Sequence, residues 1–217
     1  MTIEKKFLKI EDATIDYSGN VIFENLNIEF ELNKINAILG KSGCGKSTIL
    51  RTLAGLLKVK KGIVYFEDNI IKGPNNDICM MHQKYVNFSW LNCFQNVLIG
   101  RHDSEEYKEL KKLKNIDDIK KTEVYNILKK VGIEDYALKY PYELSGGMNQ
   151  RLALARVIYR NPRVILMDEP LSALDPKTRK EMQDLLIDLH YKSNNTIIMV
   201  THDPDEAKKM CHNVIQL

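Results

Sequence analysis

The sequence predicts an α/β protein with a mostly parallel sheet, and three observations predict it. The first is a glycine-rich run, Gly40-Lys41-Ser42-Gly43-Cys44-Gly45-Lys46-Ser47, set between an apolar segment (Ile35 to Leu39) and a helical pattern (Lys46 to Leu56). The second is the apolar run Val164 to Met167, which ends in Asp168-Glu169. The third is the alternation of short apolar runs with helix-length segments later in the chain. Strands alternating with helices give a parallel sheet, and ligands then bind beyond the C-terminal ends of its strands.

The elements follow in order. Residues 3 to 33 alternate loosely around a turn at Ser18-Gly19-Asn20, which predicts strands Leu8 to Ile15, Val21 to Phe23 and Leu26 to Phe30. Gly62 to Phe66 and Asp68 to Ile71 flank a turn and predict a hairpin, and Ile78 to His82 predicts another short strand. Helical character dominates from about Trp90 to Tyr140. Glu105 to Lys121 is highly charged, and its apolar Tyr107, Leu110 and Leu113 are spaced for one surface helix. Val124, Ile127, Leu128 and Val131 mark a second helix, ended near Gly132. Gly147 to Tyr159 predicts a third, stopped at Asn161-Pro162 because the residue before a proline disfavours the helical region. Strand Arg163 to Met167, helix Pro176 to Tyr191, strand Thr196 to Thr201, helix Pro204 to Met210 and strand Asn213 to Leu217 complete the pattern. With the last strand at its very end, the chain is expected to carry no added regulatory domain.

Composition narrows the function. A chain of 217 residues, 44% hydrophobic and 28% charged, buries a sizeable core as one domain, with or without a subdomain. Its apolar runs fall far short of the ~20 residues that span a bilayer. The N-terminus, MTIEKKFLKIED, has no apolar signal core. A cytoplasmic protein is expected, held at a membrane only by something else. The net charge of +3 is small and the lysines are dispersed among acidic residues, which argues against nucleic acid as a partner. Cys44, Cys79, Cys93 and Cys211 match no metal or redox spacing and predict free thiols. Cys44 differs from the others, because a neighbouring Lys46 and a helix start favour a reactive thiolate.

The glycine-rich run has the two flanks that a phosphate loop requires, a strand before it and a helix after it. Glycines let backbone N–H groups converge on phosphate oxygens, and the helix start adds favourable partial charge. Lys46 is expected to reach the β- and γ-phosphates of ATP, Ser47 to bind Mg²⁺, and Thr48 to support the phosphates. At the end of the later strand, Asp168 is expected to hold Mg²⁺ and Glu169 to polarise the attacking water. Adjacent side chains at a strand end point to different sides, so the two carboxylates can divide this work.

Leu144-Ser145-Gly146-Gly147-Met148-Asn149-Gln150 is a run that phosphate-loop enzymes in general do not carry. Together with the motifs above, it makes the whole chain resemble the ATP-binding subunits of ABC transporters. The resemblance implies a P-loop NTPase fold of ABC type. That fold has a mostly parallel core sheet, an N-terminal antiparallel β subdomain and an inserted helical subdomain. Residues 1–217 would form one ABC ATPase domain, with the core and β part at about 1–86 and 160–217 and the helical subdomain at about 87–159.

The resemblance also implies roles. Tyr17 matches the aromatic residue that stacks on adenine. Gly40, Ser42, Gly43, Cys44 and Gly45 join Lys46, Ser47 and Thr48 around the phosphates. Gln83 matches the residue linking the Mg²⁺ site to the membrane partner. Ser145, Gly146 and Gly147 match the signature that faces the γ-phosphate held by the opposite subunit. Asp175 ends Ser172-Ala-Leu-Asp175, matching the loop that crosses the dimer interface, and His202 resembles the switch histidine that hydrogen-bonds the γ-phosphate.

One chain with two anion sites implies a two-fold dimer in which each phosphate loop pairs with the other copy's signature across ATP. Phe88-Ser89-Trp90-Leu91 followed by Asn96-Val97, and YPYELSGGMNQR, resemble segments of the nitrate, sulfonate and taurine importers. Ser89, Asn149 and His82 depart from that pattern, where proline, arginine and phenylalanine are usual. The implied function is powering import of a small solute through separate permease subunits at the cytoplasmic face of the membrane, with a solute-binding protein outside. An exporter ATPase would share every site and differ only in its coupling groove. A soluble ABC protein acting on DNA or ribosomes would be expected to carry coiled coils, a zinc module or two ATPase domains.

Overall fold

The computed structural model describes residues 7–17, 19–83, 86–172 and 174–217. Ser18 of the predicted turn and Ala173 of the predicted Ser172–Asp175 loop lie outside the described residues. The chain divides into two compact units, one drawn from Met1–Gln83, Arg163–Ser172 and His190–Leu217, the other from Lys84–Pro162 and Ala173–Leu189.

The strands of the first unit are β1 (Leu8–Tyr17), β2 (Asn20–Phe30), β3 (Ile35–Leu39), β4 (Lys61–Phe66), β5 (Asn69–Ile70), β6 (Ile78–Met81), β7 (Val164–Asp168), β8 (Thr196–Thr201) and β9 (Asn213–Gln216). Two sheets result. One is antiparallel in the order β2-β1-β4-β5, and the other is parallel in the order β6-β7-β8-β3-β9.

The antiparallel sheet corrects the sequence reading. Two predicted strands, Val21 to Phe23 and Leu26 to Phe30, are one continuous β2. The chain passes through the apparent gap by taking Asn25 to a left-handed φ of 53°. On β1 the same device at Asp12, φ 45°, shifts the buried phase from Leu8 and Ile10 to Ala13 and Ile15. Asn27 ties the two irregularities together: its Oδ1 accepts from the Asp12 N–H at 3.1 Å and its Nδ2 donates to the Asn25 carbonyl at 3.1 Å. Bulges of this kind bend a strand and re-aim its side chains.

The parallel sheet is buried as such sheets must be. Every residue of β7 and β8 is buried, as are four of the five in β3. Helix α1 (Lys46–Leu53) lays Ile49, Leu50 and Leu53 into the same core as Leu8, Phe30 and Leu166. Each such side chain contributes about 1.5–3 kcal/mol by leaving water. The helix ends before the predicted Leu56, because Gly55 turns the chain with φ 71° and a Cβ there would meet the Gly73 carbonyl at 2.3 Å.

The second unit is helical. Its elements are α2 (Cys93–Leu98), α3 (Glu105–Leu110), α4 (Ile116–Ile119), α5 (Glu123–Lys130), α6 (Gly146–Arg160) and most of α7 (Pro176–Ser193); α8 (Pro204–Met210) belongs to the first unit. The core gathers Phe94, Leu98, Leu128, Leu152 and Tyr159.

The charged run expected as one helix over Glu105 to Lys121 is two short ones. The first ends at Leu110, and Asn115 starts the second, its side chain accepting from the Asp117 N–H at 2.9 Å. Helix α6 starts one residue before its predicted start, with Ser145 as cap, and ends where Asn161 adopts φ 53° ahead of Pro162.

Among the described residues no helix is long and apolar enough to cross a membrane.

Candidate functional site

In the parallel sheet, four neighbouring strands end on the same side. The loop after β6 carries Gln83, β7 ends in Asp168 and leads to Glu169, β8 leads to His202, and β3 leads into Gly40. The register pairs Asp168 with Val200 and Leu39 with Thr201, so these four exits lie side by side. Sequence distance is erased here: residues 40 to 48, 83, 168–169 and 202 meet because the strand order brings them together.

The loop Gly40–Gly45 is shaped by two left-handed glycines, Gly43 at φ 81° and Gly45 at φ 97°. Gly45 also has no room for a side chain, since a Cβ would stand 2.5 Å from the Phe23 ring. Lys46 is buried, 4% exposed, and its Nζ donates to the carbonyls of Gly40 and Lys41, both at 2.8 Å. Two of three ammonium protons are thereby engaged, which fixes the direction of the third. Gly45 gives α1 no side-chain cap, so the first-turn N–H groups remain open to an anion. Ser42 is exposed, and Ser47 and Thr48 are half-buried in the first turn of α1.

Ser47 Oγ donates to Asp168 Oδ1 at 2.8 Å. A hydroxyl whose proton points at a carboxylate keeps its lone pairs for a hard cation. Among the described residues no group of three His, Cys, Asp or Glu side chains could hold a metal ion. The Ser47 hydroxyl and the Asp168 carboxylate are hard oxygen donors of the kind that Mg²⁺ takes from a protein alongside phosphate and water. The residues present therefore fit a phosphate-bound Mg²⁺.

Glu169, with its side chain 18% exposed, is held from two sides: Gln83 Nε2 donates to Oε2 at 3.2 Å and His202 Nδ1 lies 3.4 Å from Oε1. Its own N–H donates to the Val200 carbonyl at 3.1 Å, and its φ is 46°, a left-handed value that a side-chain-bearing residue rarely adopts. Tyr17 is 47% exposed, and the Arg51 guanidinium of α1 stands 5.6 Å from its ring centroid. Arg51 carries no motif, and nothing in the sequence relates it to Tyr17.

Ser145, Gly146, Gly147 and Asp175 belong to the second unit. Ser145 caps α6, its Oγ accepting from the Met148 N–H at 3.3 Å, so its own proton is free to donate to an anion. A Cβ on Gly147 would press against Thr178 Cγ2 at 3.3 Å. Asp175 starts α7 by accepting from the N–H groups of Lys177 and Thr178, both at 3.1 Å. Hydrogen bonds from Thr178, side chain first and then backbone, hold its carboxyl below the usual range.

Cys44 sits half-buried in the phosphate loop, whereas burial pushes the thiols of Cys93 and Cys211 up to about 12. At neutral pH an alkylating reagent should therefore modify Cys44 well before Cys93 or Cys211. The adduct should block ATP binding, and ATP should protect the thiol. Peptide mapping of labelled protein with and without ATP checks this, and alkylated Cys44 with normal ATP affinity would refute it.

Comparison with known proteins gives a consistent family. A family model described as ABC transporter matches residues 23–172. The "uncharacterized ABC transporter ATP-binding protein MJ0412" of Methanocaldococcus jannaschii is 37% identical over 214 residues, covering 97% of this chain and 77% of that protein. The taurine import ATP-binding protein TauB of Shigella dysenteriae is 34% identical over 97% of this chain and 79% of its own length. The spermidine/putrescine import ATP-binding protein PotA of Mycoplasma mycoides is 38% identical, and this chain spans 59% of its length.

Among solved structures, cbiO1 of Clostridium perfringens, part of the cbiONQ ABC transporter complex, superposes with a TM-score of 0.80 at 31% identity, over 98% of this chain and 85% of that one. A dimeric ATP-binding cassette bound to ADP and Pi, MJ0796, superposes with a TM-score of 0.82 at 27% identity, over 97% of this chain and 94% of that one.

Proposed function

This chain belongs to the ABC transporter family, and we propose that it is the ATP-hydrolysing subunit that powers import of a small solute through separate permease subunits. The observation that carries the reading is the row of four adjacent strand exits that presents Gln83, Asp168-Glu169, His202 and the phosphate loop on one edge. Residues 1–217 then act as one ABC ATPase domain.

Each residue has a task. Backbone N–H groups of Gly40 to Gly45 and the start of α1 receive the phosphates, with Ser42, Cys44 and Thr48 lining them. Lys46 donates its remaining proton to the β- and γ-phosphate oxygens. Tyr17, steadied by Arg51, offers its exposed ring to the adenine. Ser47 and Asp168 would hold Mg²⁺, with Gln83 beside them. When bound, that ion neutralises charge on the β- and γ-phosphates. Glu169 accepts the proton of a water that attacks the γ-phosphorus, and the bond to the β-phosphate oxygen breaks to give ADP and phosphate. His202 donates to the γ-phosphate as charge develops.

Ser145, Gly146 and Gly147 serve a second copy of the chain. A capped serine with a free proton, followed by a helix N-terminus, is an anion site without a nucleotide loop of its own. In a two-fold dimer it closes on the γ-phosphate held by the partner, with Asp175 at the interface. Hydrolysis then removes the link and reopens the dimer, which drives the permease. Exposed Trp90 and Val86, 71% and 60% exposed, suit a permease contact. The place of work is the cytoplasmic membrane face, and a solute-binding protein outside would deliver the cargo. Taurine and polyamine import proteins among the relatives support a small solute.

The test is Mg²⁺-dependent phosphate release by the purified chain, together with Ser145→Ala. That variant should keep the monomer's ATP affinity and lose roughly tenfold or more in turnover and ATP-driven dimerisation. A chain that binds no ATP, or a Ser145→Ala variant with full turnover, would defeat the corresponding assignment.

A further inference from the structure

Asn149 stands in the first turn of α6, half-buried, and both ends of its amide are committed. Its Nδ2 donates to the carbonyls of Pro141 at 2.9 Å, Ser145 at 3.2 Å and Leu144 at 3.3 Å. These carbonyls form the turn that delivers the Ser145 cap. On the other side, Asn87 Nδ2 donates to the Asn149 main-chain oxygen at 2.8 Å and to its Oδ1 at 2.9 Å. An amide can bridge in this way because it carries a donor and an acceptor, whereas a cationic side chain has donors only.

The stretch around Asn87 is itself pinned. Arg156 donates to the Val86 carbonyl at 2.6 Å, and its guanidinium lies 5.2 Å from the Phe88 ring centroid. Asn96 accepts from the Phe88 N–H at 2.8 Å and donates to the carbonyls of Phe88 at 3.0 Å and Leu91 at 2.8 Å. The backbone from Val86 to Leu91 is therefore stiff, while the side chains of Val86 and Trp90 stand in the open.

We propose that the Asn87–Asn149 pair is a positioning device, transmitting the placement of the Val86–Trp90 surface to the Ser145 turn. The inference rests on the reading of Ser145 as a contact to the partner's nucleotide. Asn149 acts through Ser145 and touches no nucleotide itself. The segment is joined to the first turn of α6 where Asn87 donates to Asn149, and Asn149 in turn donates to the carbonyls of the Ser145 turn. Asn149 uses both ends of its amide, whereas Asn87 binds through its Nδ2 alone and leaves a buried Oδ1 without a partner among the described residues, so Asn149 is the member whose change loosens the turn most.

The test uses the full chain with Asn149→Asp, Asn87→Leu and the double variant. The aspartate keeps the volume of Asn149 and places a carboxylate against three carbonyl oxygens. Turnover at saturating Mg-ATP is expected to fall about tenfold, and ATP-driven dimerisation to weaken in parallel. Monomer ATP affinity should stay within about twofold, since the change is in signature placement rather than in nucleotide binding. The Asn87→Leu variant should lose less, and the double variant no more than Asn149→Asp alone, as two members of one network should.

Full turnover in the single variants, additive losses in the double, or monomer ATP affinity and melting temperature falling in step with turnover would overturn the proposal. A wild-type chain that neither hydrolyses ATP nor dimerises with it would instead overturn the ATPase reading, and this inference with it.

Discussion

Replacing Glu169 by glutamine is expected to cut turnover roughly a thousandfold, within the 10²–10⁴ range of a lost general base, and to trap an ATP-bound dimer. Glutamine keeps the shape of the side chain and can still be held between Gln83 and His202, which reach the two carboxylate oxygens at 3.2 and 3.4 Å. What it loses is the capacity to take a proton from water. Nucleotide binding depends on other groups, chiefly Lys46 and the loop amides, so affinity should be preserved. Sedimentation with and without Mg-ATP, alongside phosphate release, checks both halves. A monomer-to-dimer shift with arrested turnover is the expected result, and normal hydrolysis by this variant would remove Glu169 from the chemistry.

Replacing Lys46 by alanine should act at the opposite stage. A charge-assisted hydrogen bond contributes roughly 1.5–3 kcal/mol, and removing Lys46 also frees the Gly40 and Lys41 carbonyls that its ammonium now holds at 2.8 Å. The two effects together should weaken ATP binding about a hundredfold. Arginine should not rescue it, because its planar fork cannot enter a loop shaped around one compact ammonium. Titration with a fluorescent ATP analogue measures the change. A loss of twofold or less would mean that the backbone amides alone hold the phosphates.

The contrast between these variants shows what could be read from the sequence. Lys46, Ser47, Asp168 and Glu169 were legible because each lies in a contiguous word whose flanks declare a strand or a helix. The parallel sheet followed from the same words. His202 and Gln83 were legible only through family resemblance, since a lone histidine or glutamine after an apolar run carries no chemistry by itself. The Arg51–Tyr17 contact and the Asn87–Asn149 pair were not legible at all. Both join residues from separate elements, and no periodicity encodes which side chains will meet.

The misread elements have local causes. The apolar pattern separates Val21 to Phe23 from Leu26 to Phe30, yet a single left-handed residue, Asn25, lets the strand run on. Asn115 looked like one more polar position on a charged helix face, yet its side chain captures a backbone N–H and restarts the helix. At Asn115 a short amide side chain competes with the repeating pattern and wins; at Asn25 the backbone alone absorbs the irregularity.

The left-handed backbone at Glu169 puts durability and turnover at odds. Holding a residue with a Cβ in that region costs about 1–2 kcal/mol, whereas glycine occupies it freely and asparagine tolerates it better than glutamate. A laboratory selection for heat resistance alone would therefore favour those two residues at this position and would silence hydrolysis as it succeeded. With Glu169 as the proposed general base, the most thermostable version of this chain is therefore expected not to be its most active one.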